Sequence, residues 1–89
     1  MKLNPNLRLR KIGTHYMVVK GDTGVTDMTE VYSMNETAAM LWRRAEGIDF
    51  TPEMMAGWLC EEYDVEPDTA LEDVRSMLSE WLDKGLALQ

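Results

Sequence analysis

"SMNETAAMLWRRAEGIDFTPEMMAGWLCEEYDV", residues 33–65, reads as the end of a strand followed by two capped helices. Asn35 is a good N-cap, because its side-chain oxygen can accept an otherwise orphaned backbone N–H. Behind it, Ala38, Leu41, Trp42 and Ala45 recur at helical spacing and predict a buried stripe. Gly47 can end this first helix in the left-handed conformation. Ile48-Asp49-Phe50 is a short, extended connector. Thr51 then caps a second helix, with Pro52 at its first position and Glu53 in its first turn, where an acid suits the helix dipole. Met54, Met55, Trp58 and Leu59 supply its apolar face, and Tyr63 and Val65 close the turn after it. Trp42 and Trp58 are expected to be buried. Helix pairs of this kind often belong to DNA-binding proteins, yet this stretch is acidic.

Downstream, Pro67 opens a third helix. Leu71, Val74, Leu78 and Leu82 form one narrow stripe on it, with Ala70, Met77 and Trp81 along one flank. The apolar arc spans about 140°, against the roughly 100° that a core-facing helix requires. Gly85 ends the helix, and "LALQ" finishes as a short extended tail. Upstream, "LRLRKI" (7–12) starts by alternating apolar and basic residues, as a half-buried strand does, and "HYMVVK" (15–20) is rich in β-formers. Gly13-Thr14 between them suits a two-residue type II′ hairpin turn. "GDTGVTDMT" (21–29) has no period and many turn residues, and reads as a flexible loop. "EVYSM" (30–34) is a short third strand. Three short strands cannot bury both faces, so helices must cover one. The order is strand, strand, strand, helix, helix, helix, without repeat or linker. The expectation is one α+β domain over residues 1–89.

Charge narrows the function classes. The 89-residue chain has a net charge of -7. Residues 1–44 carry seven Lys and Arg against four acids, a net of +3; residues 45–89 carry two against twelve, a net of -10. The second helix has neither Lys nor Arg, and the third has Arg75 with Lys84 at its end. DNA affinity comes largely from cations meeting phosphates, so a nucleic-acid role is disfavoured. No apolar run approaches the roughly 20 residues of a bilayer span. The basic N-terminus lacks the apolar core of a signal peptide. Cys60 is the single cysteine, which leaves no internal disulfide and no cysteine metal cluster. The expectation is a cytoplasmic protein with no membrane partner.

The sequence is poor in reactive constellations. His15, the single histidine, has no H-x-x-x-H spacing and no acid–Cys or acid–Ser arrangement around it. The neighbours Glu61, Glu62 and Asp64 are acids, not the cations that activate a thiol, so Cys60 reads as a core or near-core residue. Glu61 to Asp68 lacks the alternating pattern of a calcium loop. The six glycines make no phosphate-binding signature. No catalytic residue, metal or cofactor is expected.

Two features point to binding instead. A three-stranded sheet leaves at least one long edge open, and an open edge can accept another chain's backbone. The third helix carries a surplus apolar flank at Met77 and Trp81. The eight methionines supply adaptable contact surface.

At "LNPNLRLRKIGTHYMVV" followed by "SMNETAAMLW" the sequence resembles the PqqD-like family, also called RiPP recognition elements. The resemblance rests on the basic first strand, the "IG-x-x-x-x-V" hairpin of residues 12–18, and an opening of the first helix akin to N-x-T-x-A-x-x-L-W. That last motif is met, with one residue of slack, by Asn35, Thr37, Ala39, Leu41 and Trp42. "TPE" (51–53), "EEYDV" (61–65) and "DVRSMLSEWLDKGL" (73–86) complete an ordered set over nearly the whole chain. The chain departs from the simplest members in its longer polar loop at 21–29.

The resemblance implies a winged-helix-like fold, a three-stranded antiparallel sheet followed by three helices. It implies a role without catalysis, in which the protein holds the leader segment of a ribosomally made precursor peptide and presents it to a modifying enzyme. In many pathways that enzyme is a radical S-adenosylmethionine protein. The leader is held as an added strand on the third strand, in a groove whose other wall is the third helix. Carried over, the peptide-binding residues are Val31, Tyr32, Ser33 and Met34, with the exposed side of Val74, Met77 and Trp81. The basic Arg8, Arg10 and Lys11 and the acidic third helix offer charge handles of opposite sign. The alternatives are an interaction subunit binding a folded protein through the same flank, and a winged-helix DNA-binding protein. An open edge also allows a weak homodimer beside the monomer.

Overall fold

The computed structural model describes residues 1–20 and 32–89. The expected loop at 21–29 and the start of the third strand, Glu30 and Val31, lie outside the described residues. Strand β1 is Lys2–Leu3, β2 Leu7–Ile12, β3 His15–Lys20 and β4 Tyr32–Met34. Helices α1 (Glu36–Ala45), α2 (Pro52–Glu62) and α3 (Pro67–Asp83) follow, and β5 is Ala87–Leu88. The expected α+β order is observed: a three-stranded antiparallel sheet and then three helices. The chain divides into two compact units, Met1–Asn4 with Ala45–Gln89, and Pro5–Arg44.

In the Pro5–Arg44 unit the sheet runs β2-β3-β4. Ile12 pairs His15, so the hairpin loop is the two residues Gly13-Thr14. Gly13 has φ 62, a left-handed value that costs other L-residues about 1–2 kcal/mol. Alternation along the strands sets the faces. Leu7, Val18 and Met34 are buried on one face, while Arg8, Arg10 and His15 are exposed on the other. α1 starts as expected: the Ala38 amide donates to Asn35 Oδ1 at 2.7 Å. Its buried residues are Ala39, Leu41, Trp42 and Ala45. Ala38, expected in that stripe, is half-buried.

In the other unit α2 packs on α3. The Met54 amide donates to Thr51 Oγ1 at 3.1 Å, with Pro52 opening the helix. α2 buries Met55, Ala56 and Leu59. Trp58 is half-buried and Met54 is 40% exposed, which corrects the expected face. Trp58 lies about 60° of helical arc outside the buried sector, at its margin. Arg75 on α3 meets Glu53 on α2 at 3.4 Å in an exposed ion pair.

α3 ends in a Schellman motif. The Leu86 amide donates to the Trp81 carbonyl at 2.8 Å, and the Gly85 amide to that of Leu82 at 3.2 Å. This turn buries Leu86 and directs the chain into β5. There the tail is extended as expected and, beyond that expectation, is a paired strand: Leu3 pairs Ala87 and Lys2 pairs Leu88. Asn4 extends the clasp, its amide donating to the Leu86 carbonyl and its side chain to that of Gly85. The Phe50 amide donates to the Met1 carbonyl at 2.8 Å, so the connector before α2 is also tied to the N-terminus. Phe50 is buried.

Candidate functional site

Strand β4 is short, and its residue types set its geometry. Tyr32, Ser33 and Met34 alternate across the sheet, half-buried, exposed and buried in turn. The strand pairs with β3 through Tyr32↔Val18, Ser33↔Met17 and Met34↔Tyr16. β3 is central, and among the described residues no strand lies on the far side of β4. In an antiparallel strand, successive residues direct their N–H and C=O groups to opposite sides. An edge strand therefore presents backbone donors and acceptors at every second residue, which is what strand addition uses. Val31, placed in the candidate site by resemblance, lies outside the described residues.

Beside Met34 in the ladder stands Tyr16, half-buried on the core face. Lys11 Nζ lies 5.7 Å from its ring centroid and Arg43 Cζ 5.2 Å. Both distances suit a cation–π contact. This cluster ties β2 and α1 to the strand next to the candidate edge. Reading the sequence missed it. Lys11 and Tyr16 sit at paired hairpin positions and were legible, whereas Arg43 arrives from a helix whose docking no local pattern encodes.

The remaining candidates lie on α3, in the other unit. Ala70, Val74, Leu78 and Trp81 are its buried residues; Leu71, Met77 and Leu82 are half-buried. The expectation of an exposed flank formed by Val74, Met77 and Trp81 is corrected accordingly. Val74 and Trp81 are 1% and 0% exposed and belong to the core. The apolar arc has the expected width, but its centre lies about 40° toward Trp81 from the Leu/Val stripe. The largest side chain takes the middle of the face, since burying its area gains most. Met77, on the rim, retains accessible surface. The acids Asp73 and Glu80, four residues before and three after it, are exposed.

Among the described residues no side-chain cluster suggests chemistry. Among the described residues no group of His, Cys, Asp and Glu is arranged to hold a metal ion. His15 is exposed. The Cys60 thiol is half-buried and donates to the Val65 carbonyl at 3.7 Å. Among the described residues no helix is long and apolar enough to cross a membrane.

The family model for coenzyme PQQ synthesis protein D (PqqD) matches residues 17–87, most of the chain. The chain belongs to the PqqD family. The matched span begins within β3 and ends in β5, so it includes the edge strand and all three helices. Two solved structures are similar in fold. One is TbiB1 in complex with the TbiA(beta) leader peptide, at 22% identity and TM-score 0.74, over 98% of this chain and 94% of that one. The other is lasso peptide synthetase B1 complexed with the leader peptide, at 24% identity and TM-score 0.75, over 99% and 96%. No curated protein matches the chain.

Proposed function

We propose that this PqqD-family chain is a non-catalytic adaptor that binds the leader segment of a ribosomally made precursor peptide and presents it to a modifying enzyme. The open edge of β4 carries this reading. Two fold relatives bind leader peptides, which supports the same role here. The leader adds as a strand along Val31, Tyr32, Ser33 and Met34. On α3, Met77 meets the leader's side chains, while Val74 and Trp81, being buried, hold that surface in shape from behind. The whole chain acts as one peptide-binding module, a reading supported by a family match that takes in parts of both units. The modifying enzyme is a radical S-adenosylmethionine protein or another peptide-tailoring enzyme, and the adaptor works beside it in the cytoplasm.

The energetics suit a carrier. Ordering a disordered leader costs roughly 2–5 kcal/mol of the gross interaction energy. Backbone bonds to an edge strand give grip without reading sequence, and pockets for alternate side chains give selectivity. The resulting affinity is moderate, so the leader can be released after modification.

Fluorescence anisotropy with labelled leader peptides encoded beside the gene tests the proposal. Saturable binding that shifts the NMR resonances of residues 31–34 and Met77 is the expected result. Binding with those resonances unmoved would place the site elsewhere, and no binding to any such leader would remove the function.

A further inference from the structure

The same sheet carries a second surface. Register fixes its composition, because directly opposed residues share a face. Arg8 opposes Val19, Arg10 opposes Met17, and Ile12 opposes His15. Ser33 on β4 continues the row beyond Met17. This is the face opposite Leu7, Val18 and Met34, and it bears no acid among its described residues. Ile12 is 53% exposed, Arg8, Arg10 and His15 are exposed, and Met17 and Val19 are half-buried. Neither arginine has an acidic partner among the described residues. The pattern is an apolar centre bordered by two exposed guanidinium groups, on a chain whose net charge is -7.

From this we infer that the outer face of β2-β3-β4 is the surface on which the modifying enzyme docks, through an acidic and partly apolar protein surface of its own. The inference rests on the adaptor reading above. A phosphate backbone fits less well: it demands many cations in a row, and the acidic remainder of the chain would repel it. A protein surface needs only a small apolar core with charges around it to set orientation. Arg8 and Arg10 attract an acidic enzyme surface to this face, while the acidic residues of 45–89 repel one, and that contrast orients the encounter.

Strand addition couples the two surfaces. A leader paired to β4 continues the pleat, so every second leader side chain projects onto the outer face beyond Ser33. An enzyme seated there touches adaptor and leader together. It therefore distinguishes a loaded adaptor from an empty one without any change in the adaptor's shape.

The test uses the full chain, the leader peptide and the peptide-modifying enzyme encoded beside its gene, with enzyme affinity read by interferometry and leader affinity by anisotropy. The Arg8→Glu/Arg10→Glu double variant is expected to lose about tenfold or more in enzyme affinity, and the wild-type affinity is expected to fall with salt. Leader affinity of the double variant stays within about twofold, and circular dichroism confirms that it folds. Arg75→Glu, a single reversal of another exposed arginine, leaves enzyme affinity unchanged. Unchanged enzyme affinity in the double variant overturns the inference, as does equal loss in Arg75→Glu or an enzyme with no affinity for the wild type. Loss of leader binding in the wild type, with enzyme docking still sensitive to Arg8 and Arg10, instead sinks the adaptor reading and leaves the docking face standing.

Discussion

Trp81 and Met77 stand four residues apart on α3 and have different fates. Trp81 is 0% exposed, while Met77 keeps part of its surface in solvent. Substitutions at the two should separate stability from binding. Trp81→Ala, like Trp42→Ala, is expected to cost roughly 3–5 kcal/mol by chemical denaturation, because each leaves a large cavity. Met77→Ala removes only rim contacts. It is expected to lower leader affinity several-fold, about 1 kcal/mol, with a melting temperature within a few degrees of the parent. Trp42 was legible as core from helical spacing. Trp81 was legible as apolar but not as central, because pattern counts give a Leu/Val stripe the same weight as one indole. Trp58 shows the converse: a large apolar residue at the margin of its helix face stays half-buried.

At the scale of elements, the parts fixed by short-range chemistry were the parts the sequence revealed. Asn35 and Thr51 each accept an amide three residues ahead, and that geometry lies within one turn of chain. Asn35→Ala and Thr51→Ala are each expected to destabilise by about 1 kcal/mol, nearly additively, as read from denaturant midpoints. The two-residue hairpin turn was legible for the same reason. Strand β1 and its pairing with the extended tail were not. Two residues carry no alternation, and their pairing joins Leu3 to Ala87 across almost the full chain. The sequence reported that Gly85 would end a helix and that "LALQ" would run on extended. It could not report that the Schellman turn would deliver Leu86 and Ala87 to the N-terminus.

For the whole molecule, charge and edge geometry set what the protein can bind. The acidic surplus of residues 45–89 argues against the helices meeting phosphates, and no gel shift with duplex DNA is expected even at low salt, where electrostatic attraction is strongest. That exclusion was readable from residue counts alone. The open edge was readable only as an option, since a three-stranded sheet must have two outer strands without saying what covers them. The observed order, with β3 in the middle and β4 outside, makes the option concrete. Of the residues assigned to the peptide site by resemblance, the edge residues Tyr32 and Ser33 and the rim residue Met77 keep accessible surface, while Val74 and Trp81 have passed into the core.

Strand addition has a signature that no other mode of peptide capture shares. A strand added to β4 donates every second backbone N–H to it and turns the others away. A series of leader peptides, each carrying one N-methyl amide, is expected to bind with a period of two: alternate methylations weaken affinity about tenfold or more, and those between have little effect. A flat profile, or one with a helical period, would contradict strand addition to β4.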